Sequence, residues 1–421
     1  MVDLERPRLK VGFIPIIDCA PIILAEELGS YERQGLEVEI RREVSWANVR
    51  DKLALGVLDA SHILAPLPLA LTLGIDSVRV PMINAMTLQV NGNALTLSQA
   101  LWQEMEEAAP DLIGAGHAPL VARALAAVVA KRAATGAPRI VLASVFPYSV
   151  QNYMVRQWLA SGGLDPDRDV RLTVVPPPHT VAHLSAKAID GYCVGEPWNQ
   201  RAVALGIGRI AMTGTDIWRG MPEKVLGVTE AWAEKNPETL KALLKALIEA
   251  CVWLDEPSHR AEAAQLLASP RYLNTPADVI ARTLDLPDFH VFHRGAANFP
   301  WRSHADWFLK QMVRWGQAAA DIDIAATADR VNRTDLYRAA AREIGVHSDV
   351  DNIREKRTVT TLGRDEQAAP GVELRCLRGG HAHRGIADRA REGNAGACRD
   401  NRDGPALAGK TAALASPAHR G

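Results

Sequence analysis

The sequence lacks the features that would mark a disulfide scaffold, a membrane protein or a nucleic-acid binder. Its 421 residues hold five cysteines, Cys19, Cys193, Cys251, Cys376 and Cys398. None sits in a CxxC pair or a metal-type spacing, and an odd, dispersed set excludes a disulfide framework and fits a reducing compartment. No run of about 18 apolar residues occurs, so no membrane span is expected. The 48 basic and 49 acidic residues leave a formal net charge of -1, which provides no basic footprint for direct nucleic-acid binding. A secretory leader has a basic start, an apolar stretch and a small-residue cleavage site. Here the first residues carry charges of both signs and run into an apolar stretch broken by Gly12, Pro15 and Asp18. The expected location is therefore the cytoplasm. A nucleophile–base pair, a metal cluster and a glycine-rich phosphate loop at a strand–helix junction are also missing, so no cofactor and no enzymatic activity are expected.

Aromatic residues stop at Tyr337. Beyond about residue 351 the chain is rich in Arg, Gly and Ala without a period. Such a segment cannot bury enough apolar surface to offset its ordering entropy. Residues 352–421 are expected to be disordered, or non-native as the product of a shifted reading frame.

What the chain does contain is a two-part α/β pattern. Residues 10–16 read as a strand, 21–28 as a short helix, and 36–41 as a half-buried strand by their alternation. Ser45 is placed to cap a helix over 46–55 that Gly56 ends. Residues 58–65 read as a strand with an Asp59-Ala-Ser-His62 turn, followed by an apolar helix to Leu73. This β-α-β-α-β-α order predicts a mainly parallel sheet covered by helices. Short strands at 78–82 and 88–90 flank a polar cluster at 84–93. A second β/α unit follows: an interrupted helix over 99–132, strands at 139–146 and 170–175, and helices at 151–160 and 179–188. The stretch Asp190-Gly-Tyr-Cys-Val-Gly195-Glu-Pro-Trp-Asn199 closes it. There a buried strand runs into a Gly-Glu-Pro turn, and carboxyl ends of strands in open α/β sheets are where ligands bind. A return strand at 209–213, a long helix over 229–254, an aromatic run at 299–315 and a helix over 333–344 complete the pattern. Trp307, Phe308 and Trp315 are spaced for one core-facing helix side.

Several motifs stand in one order: Val11-Gly-Phe-Ile-Pro, Cys19-Ala-Pro, His62-Ile-Leu-Ala-Pro-Leu-Pro, Val145-Phe-Pro, Arg156-Gln-Trp-Leu-Ala, Val175-Pro-Pro-Pro, the 190–199 stretch, Pro222-Glu-Lys-Val-Leu-Gly227 and the aromatic run. Together, over residues 9–346, they resemble the NrtA/CmpA family of nitrate- and bicarbonate-binding proteins. The resemblance implies a two-lobe, periplasmic-binding-protein-like (type II) clamp. Lobe one would comprise residues 8–85 and 212–346, and lobe two residues 90–205, with 209–213 as one crossing. With no secretory leader expected, the chain looks most like the cytoplasmic NasS-type nitrate/nitrite sensors. That resemblance implies an RNA-binding antiterminator of the NasT type as partner. The alternative is the receptor of an ABC importer for nitrate, nitrite or bicarbonate. Thiamine-pyrimidine synthases, enzymes that share this fold, are the third reading.

A small oxyanion needs a cation, N–H donors and exclusion of water. Lys224 looks like the family's anion-binding lysine; otherwise it is an ordinary surface lysine. A charge-assisted hydrogen bond contributes roughly 1.5–3 kcal/mol. Gly195 is the candidate for a backbone donor at close approach. Gln151 stands at a helix start, where unpaired N–H groups suit anions, in a place where the family resemblance leads one to expect histidine. His62 is a candidate donor or lobe-closing group, Asn93 a neutral donor or a turn asparagine, and Trp46 a pocket wall or a core tryptophan. His179, His183 and Glu196 are weaker candidates, Glu196 being read as an interlobe pairing group or a cation ligand.

Overall fold

A computed structural model describes residues 3–75 and 78–346. The 352–421 segment lies outside the described residues. Among the described residues the strands are β1 (Arg8–Phe13), β2 (Glu37–Arg42), β3 (Ala60–Leu64), β4 (Met82–Asn91), β5 (Asn93–Ser98), β6 (Val141–Ser144), β7 (Arg171–Val174), β8 (Gly191–Gly195), β9 (Gly208–Thr213), β10 (Pro222–Thr229) and β11 (His290–Val291). They form a six-stranded sheet in the order β11-β4-β10-β3-β1-β2 and a five-stranded sheet in the order β7-β6-β8-β5-β9. Helices cover both, as the α/β pattern predicts.

The sheets are mixed, where mainly parallel sheets were expected. β1 pairs with β2 and β3 in parallel, and β6 pairs with β7 and β8 in parallel. The pairs β10–β3, β10–β4, β11–β4, β5–β8 and β5–β9 are antiparallel. The cause is the route of the chain. β4 leaves the first sheet and continues through Gly92 directly into β5 of the second. β9 belongs to the second sheet, and β10 brings the chain back. Residues 209–213 are thus a strand of the second sheet, and the return comes after them.

The polar stretch 84–93 is also not a loop between short strands. Every residue of β4 is buried. Several of its polar groups are satisfied by residues distant in sequence, which offsets part of the cost of burial, while Thr87 Oγ1 and Gln89 Oε1 are buried with no hydrogen-bond partner among the described residues. Asn84 Nδ2 donates to Asn332 Oδ1 at 3.3 Å, and Asn91 Nδ2 donates to the Asp288 carbonyl at 2.9 Å. The Asn298 amide donates to the Thr87 carbonyl at 3.1 Å. Similarly, residues 60–62 form no turn: Ala60–Leu64 is a fully buried strand.

Local capping follows the sequence closely. Ser45 accepts from the Asn48 N–H and starts Trp46–Ala54; Ser149 accepts from the Asn152 N–H and starts Val150–Ser161. The long helix expected over 229–254 is two helices, Glu230–Lys235 and Pro237–Asp255. Pro237 excludes helical geometry from Asn236, which sits at φ -134° and ψ 53°. Leu240, Leu243, Leu244, Leu247 and Ile248 form the buried stripe of the second helix, each contributing about 1.5–3 kcal/mol by burial.

The aromatic run has a specific task. Trp307 and Phe308 in the helix Arg302–Arg314 pack on Trp218, with ring centroids 4.5 and 5.8 Å apart. They also meet Tyr153 on Val150–Ser161. Gln157 Nε2 donates to Gln311 Oε1 at 2.8 Å in the same contact. Trp315 leaves this face and instead lies under the Arg314 and Arg156 guanidiniums.

Candidate functional site

The crossing strands bring one buried polar cluster together from both sheets. β10 supplies Glu223 and Lys224. A regular strand sends neighbouring side chains to opposite faces, but the β10–β4 register shifts on both sides of Lys224. Such irregularities re-aim side chains, and here both neighbours reach the same cluster. β3 contributes His62, the turn after β1 contributes Asp18, and the start of Trp46–Ala54 contributes Trp46. From the second sheet come Asn93 at the start of β5, Gly195 at the end of β8, and Gln151 in the first turn of Val150–Ser161.

Asp18 is the pivot on the first-sheet side. Lys224 Nζ donates to its Oδ2 at 2.9 Å, and His62 Nε2 lies 2.6 Å from its Oδ1. The Ile14 N–H donates to His62 Nδ1 at 3.3 Å, so Nε2 carries the imidazole proton and donates to Asp18. Burial acts to raise the Asp18 pKa, but Lys224 and His62 outweigh it and hold the carboxylate down at about 2. Burial lowers the His62 pKa despite Asp18, with Lys224 adding to the fall. Burial works against the Lys224 charge too, and there Asp18 and Glu223 prevail and raise it. Trp46 covers this ion pair: Lys224 Nζ is 5.2 Å from its ring centroid, and the His62 ring stands at 5.2 Å from it.

Glu223 is the pivot between the sheets. Its Oε1 takes hydrogen bonds from Lys224 Nζ and, at 2.5 Å, from Gln151 Nε2. Its Oε2 accepts from Asn93 Nδ2, also at 2.5 Å. Gln151 Nε2 donates in addition to Asn93 Oδ1 at 2.7 Å. Burial pushes the Glu223 pKa up to about 7 against the pull of Lys224, and the Asp18 charge adds to the rise. Lys224 and Glu223 have no measurable exposure.

All six sequence candidates, Lys224, Gly195, Gln151, His62, Asn93 and Trp46, meet in this cluster. Gly195 pairs with Asn93 in the β5–β8 ladder. A methyl added there would stand 3.5 Å from Asp18 Oδ2 and from Glu223 Oε1, an ordinary contact. The glycine therefore faces the cluster without being required by crowding. Lys224 is a core residue, not a surface lysine, and Asn93 lies in a strand, not a turn.

The weaker candidates fall elsewhere. His179 and His183 are exposed at the helix Thr180–Ser185, where His183 Nδ1 sits 2.9 Å from the His179 carbonyl. Glu196 does not pair the sheets through its side chain. Its backbone carbonyl does so, accepting from the Ile17 N–H at 2.7 Å, while its own N–H donates to the Gly92 carbonyl at 3.1 Å. Glu196 Oε2 accepts from the Gln200 N–H at 3.1 Å, Oε1 is buried with no partner among the described residues, and burial raises its pKa to about 8.

Sequence reasoning missed Asp18 and Glu223. Glu223 stood beside Lys224 in its motif, but only the register shift turns it inward. Asp18 was an acid inside an otherwise apolar stretch, 14–20, and that isolation was its signal.

Chemically, three donors converge here on one planar carboxylate: an ammonium and two side-chain amides. Backed by a tryptophan face and shut off from water, this donor set matches a small planar oxyanion. Charge-assisted bonds of this kind are the strong ones.

Comparison with known proteins is consistent with that geometry. Residues 3–268 match the NMT1-like family. The nitrate import ATP-binding protein NrtC of Synechocystis sp. is 40% identical over 357 residues, which are 81% of this chain and 51% of that protein. The bicarbonate transport ATP-binding protein CmpC of the same organism is 38% identical, again over 81% of this chain and 51% of its own length. The chain thus spans about half the length of these curated relatives. The nitrate/nitrite binding protein NrtA of Synechocystis sp. is 34% identical over 379 residues, covering 85% of this chain and 81% of NrtA. The crystal structure of periplasmic nitrate-binding NrtA from Synechocystis superposes with a TM-score of 0.77 at 32% identity, over 86% of this chain and 95% of that one. By these matches the chain belongs to the NMT1-like family, in the group that holds the NrtA nitrate/nitrite binding proteins.

Proposed function

We propose that this chain is a binding protein for nitrate or nitrite that signals occupancy to a protein partner and performs no turnover. The observation that carries the reading is the convergence of Lys224 Nζ, Gln151 Nε2 and Asn93 Nδ2 on a single planar carboxylate. The names of the relatives NrtA and NrtC support the same anion class. A two-lobe clamp also offers a transmission route, because an anion held by groups from both sheets favours one relative lobe arrangement, and ligand energy then shifts the population.

Two downstream roles fit. As a cytoplasmic sensor, the chain would hold a NasT-type antiterminator inactive until the anion arrives; the family resemblance of the motifs supports this. As an importer receptor, it would deliver the anion to an ABC permease; the names of NrtC and CmpC support that role. Bicarbonate is the competing ligand, on the name of the relative CmpC.

Calorimetric titration with nitrate, nitrite and bicarbonate tests the binding reading. Nitrate or nitrite binding that weakens by about one to two orders of magnitude in Lys224→Ala is expected, the loss of one charge-assisted bond. Gln151→Ala serves as a second variant that leaves the buried ion pair intact. Bicarbonate binding alone would replace the nitrogen-oxyanion reading with a carbon-responsive one, and absence of binding to all three would end it. Nitrate-dependent release of a purified antiterminator separates the sensor from the importer, for which nitrate-dependent stimulation of a permease ATPase is the readout.

A further inference from the structure

The donors assigned to the anion already have an acceptor. Glu223 Oε1 takes Lys224 and Gln151, and Glu223 Oε2 takes Asn93. A carboxylate and nitrite or nitrate share a planar oxygen–centre–oxygen fork of nearly the same span. Any oxyanion bound by these three side chains must therefore take them from Glu223.

Charge counting then decides what Glu223 does. The charged and titratable groups that face it are Lys224 on its own strand, Asp18 from the turn after β1, and Cys193 from β8. His62 on β3 reaches the group through Asp18 and is neutral by its tautomer. The Cys193 thiol is pushed well up by burial and is neutral as well. Lys224 and Asp18 cancel. An ionised Glu223 leaves the buried cluster at -1, and adding an anion makes it -2 around one ammonium. Unpaired buried charge is strongly disfavoured, and no other cation is bonded to Glu223 among the described residues.

We propose that the Glu223 carboxylate is the internal competitor of the bound anion, and that anion capture is coupled to uptake of one proton by Glu223. The proton comes from solvent and no bond to carbon changes. Glu223 turns from acceptor into donor: it releases Lys224, Gln151 and Asn93 to the anion and offers it an O–H. Its raised pKa, about 7, makes the protonated form accessible near neutrality. The consequence is a receptor whose affinity falls as pH rises.

This inference rests on the oxyanion reading above, and one experiment separates the two. Sodium nitrate and sodium nitrite are titrated calorimetrically into the whole protein at pH 6, 7 and 8. Two buffers of different ionisation enthalpy count the protons taken up. The wild type is expected to bind about tenfold more weakly at pH 8 than at pH 6, the linkage slope for one proton. At pH 8 it should take up about one proton per anion, also by linkage. Glu223→Gln mimics the protonated acid, so it should bind at pH 8 about as tightly as the wild type does at pH 6, without proton uptake. The wild-type proton count needs no variant and stands if Glu223→Gln fails to fold. Binding with pH-independent affinity and no proton uptake overturns the Glu223 proposal and leaves the oxyanion reading standing. Proton uptake that persists in Glu223→Gln assigns the proton to Asp18 or His62 and overturns it too. Absence of binding at every pH removes the oxyanion reading and this inference with it.

Discussion

Asn93 Nδ2 donates to Glu223 Oε2 at 2.5 Å, although Asn93 opens a strand of the five-stranded sheet and Glu223 lies in the six-stranded one. This bond, together with the Gln151 bond to the same carboxylate, ties the sheets at the cluster. Asn93→Ala should lower stability by about 1.5–3 kcal/mol, the value of a hydrogen bond to a charged group. Chemical denaturation at pH 8, with Glu223 largely ionised, is the measurement. Asn93→Asp should cost more, because it sets a third carboxylate beside Asp18 and Glu223.

Lys224 is the only ammonium bonded to Asp18 and Glu223 among the described residues. Lys224→Ala should therefore destabilise by about 3–5 kcal/mol, because it strands buried carboxylates without their cation. The double variant Lys224→Ala with Glu223→Gln should recover part of that loss. Thermal melts of the wild type, both single variants and the double variant give the coupling; strict additivity would mean that the two side chains do not interact energetically.

The pH profile of stability follows from buried groups whose pKa values are shifted in opposite directions. Asp18 is depressed from 3.8 to about 2, so the stability it contributes is present above about pH 4 and is lost as pH falls through 2. Glu196 is raised from 4.5 to about 8 by burial. Between those values the folded state holds a proton that the unfolded state has released. Its contribution to stability therefore falls as pH rises from about 4.5 to 8 and then levels, while His290, lowered by burial from 6.5 to about 3, works the other way up to about pH 6.5. Glu223 acts in the same direction as Glu196 up to about pH 7. Denaturation midpoints at about pH 6.5, 7.5 and 8.5, above the range in which His290 acts, should decline in the wild type and decline less in Glu196→Gln.

Gly92 joins the two crossing strands at φ +83°. A methyl there would collide with the Gln89 amide and stand 2.7 Å from the His290 ring. Gly116 has φ +68°, and among the described residues nothing lies within 4 Å of a methyl placed there. Gly116→Ala should cost about 1 kcal/mol from backbone geometry alone. Gly92→Ala should cost more, and comparing the melts of the two isolates the steric part.

Trp46 lies over Lys224 and beside His62, so truncation removes packing and a cation–π contact together. Trp46→Ala should cost about 3–5 kcal/mol. Trp46→Phe, which keeps a ring face, should retain most of that stability in the same assay.

What the sequence determined by itself was local. The Ser45 cap, the apolar stripe of Pro237–Asp255 and the strands before and after the first helices are properties of contiguous residues, and short-range sterics and periodicity dictate them. The motif order was legible too, and it led to six residues that do share one cluster. What tertiary structure decided was everything that depends on distant partners. Polar β4 became a buried strand in which Asn298, Asn332 and Asp288, from the far end of the chain, satisfy several of its polar groups. The sheets became mixed because the chain crosses between them. Asp18 and Glu223 entered the site through bonds that span 206 residues to Lys224 and 72 to Gln151. No periodicity encodes such pairings. They form because a buried charge must find its counter-charge and donors wherever the fold brings them within reach.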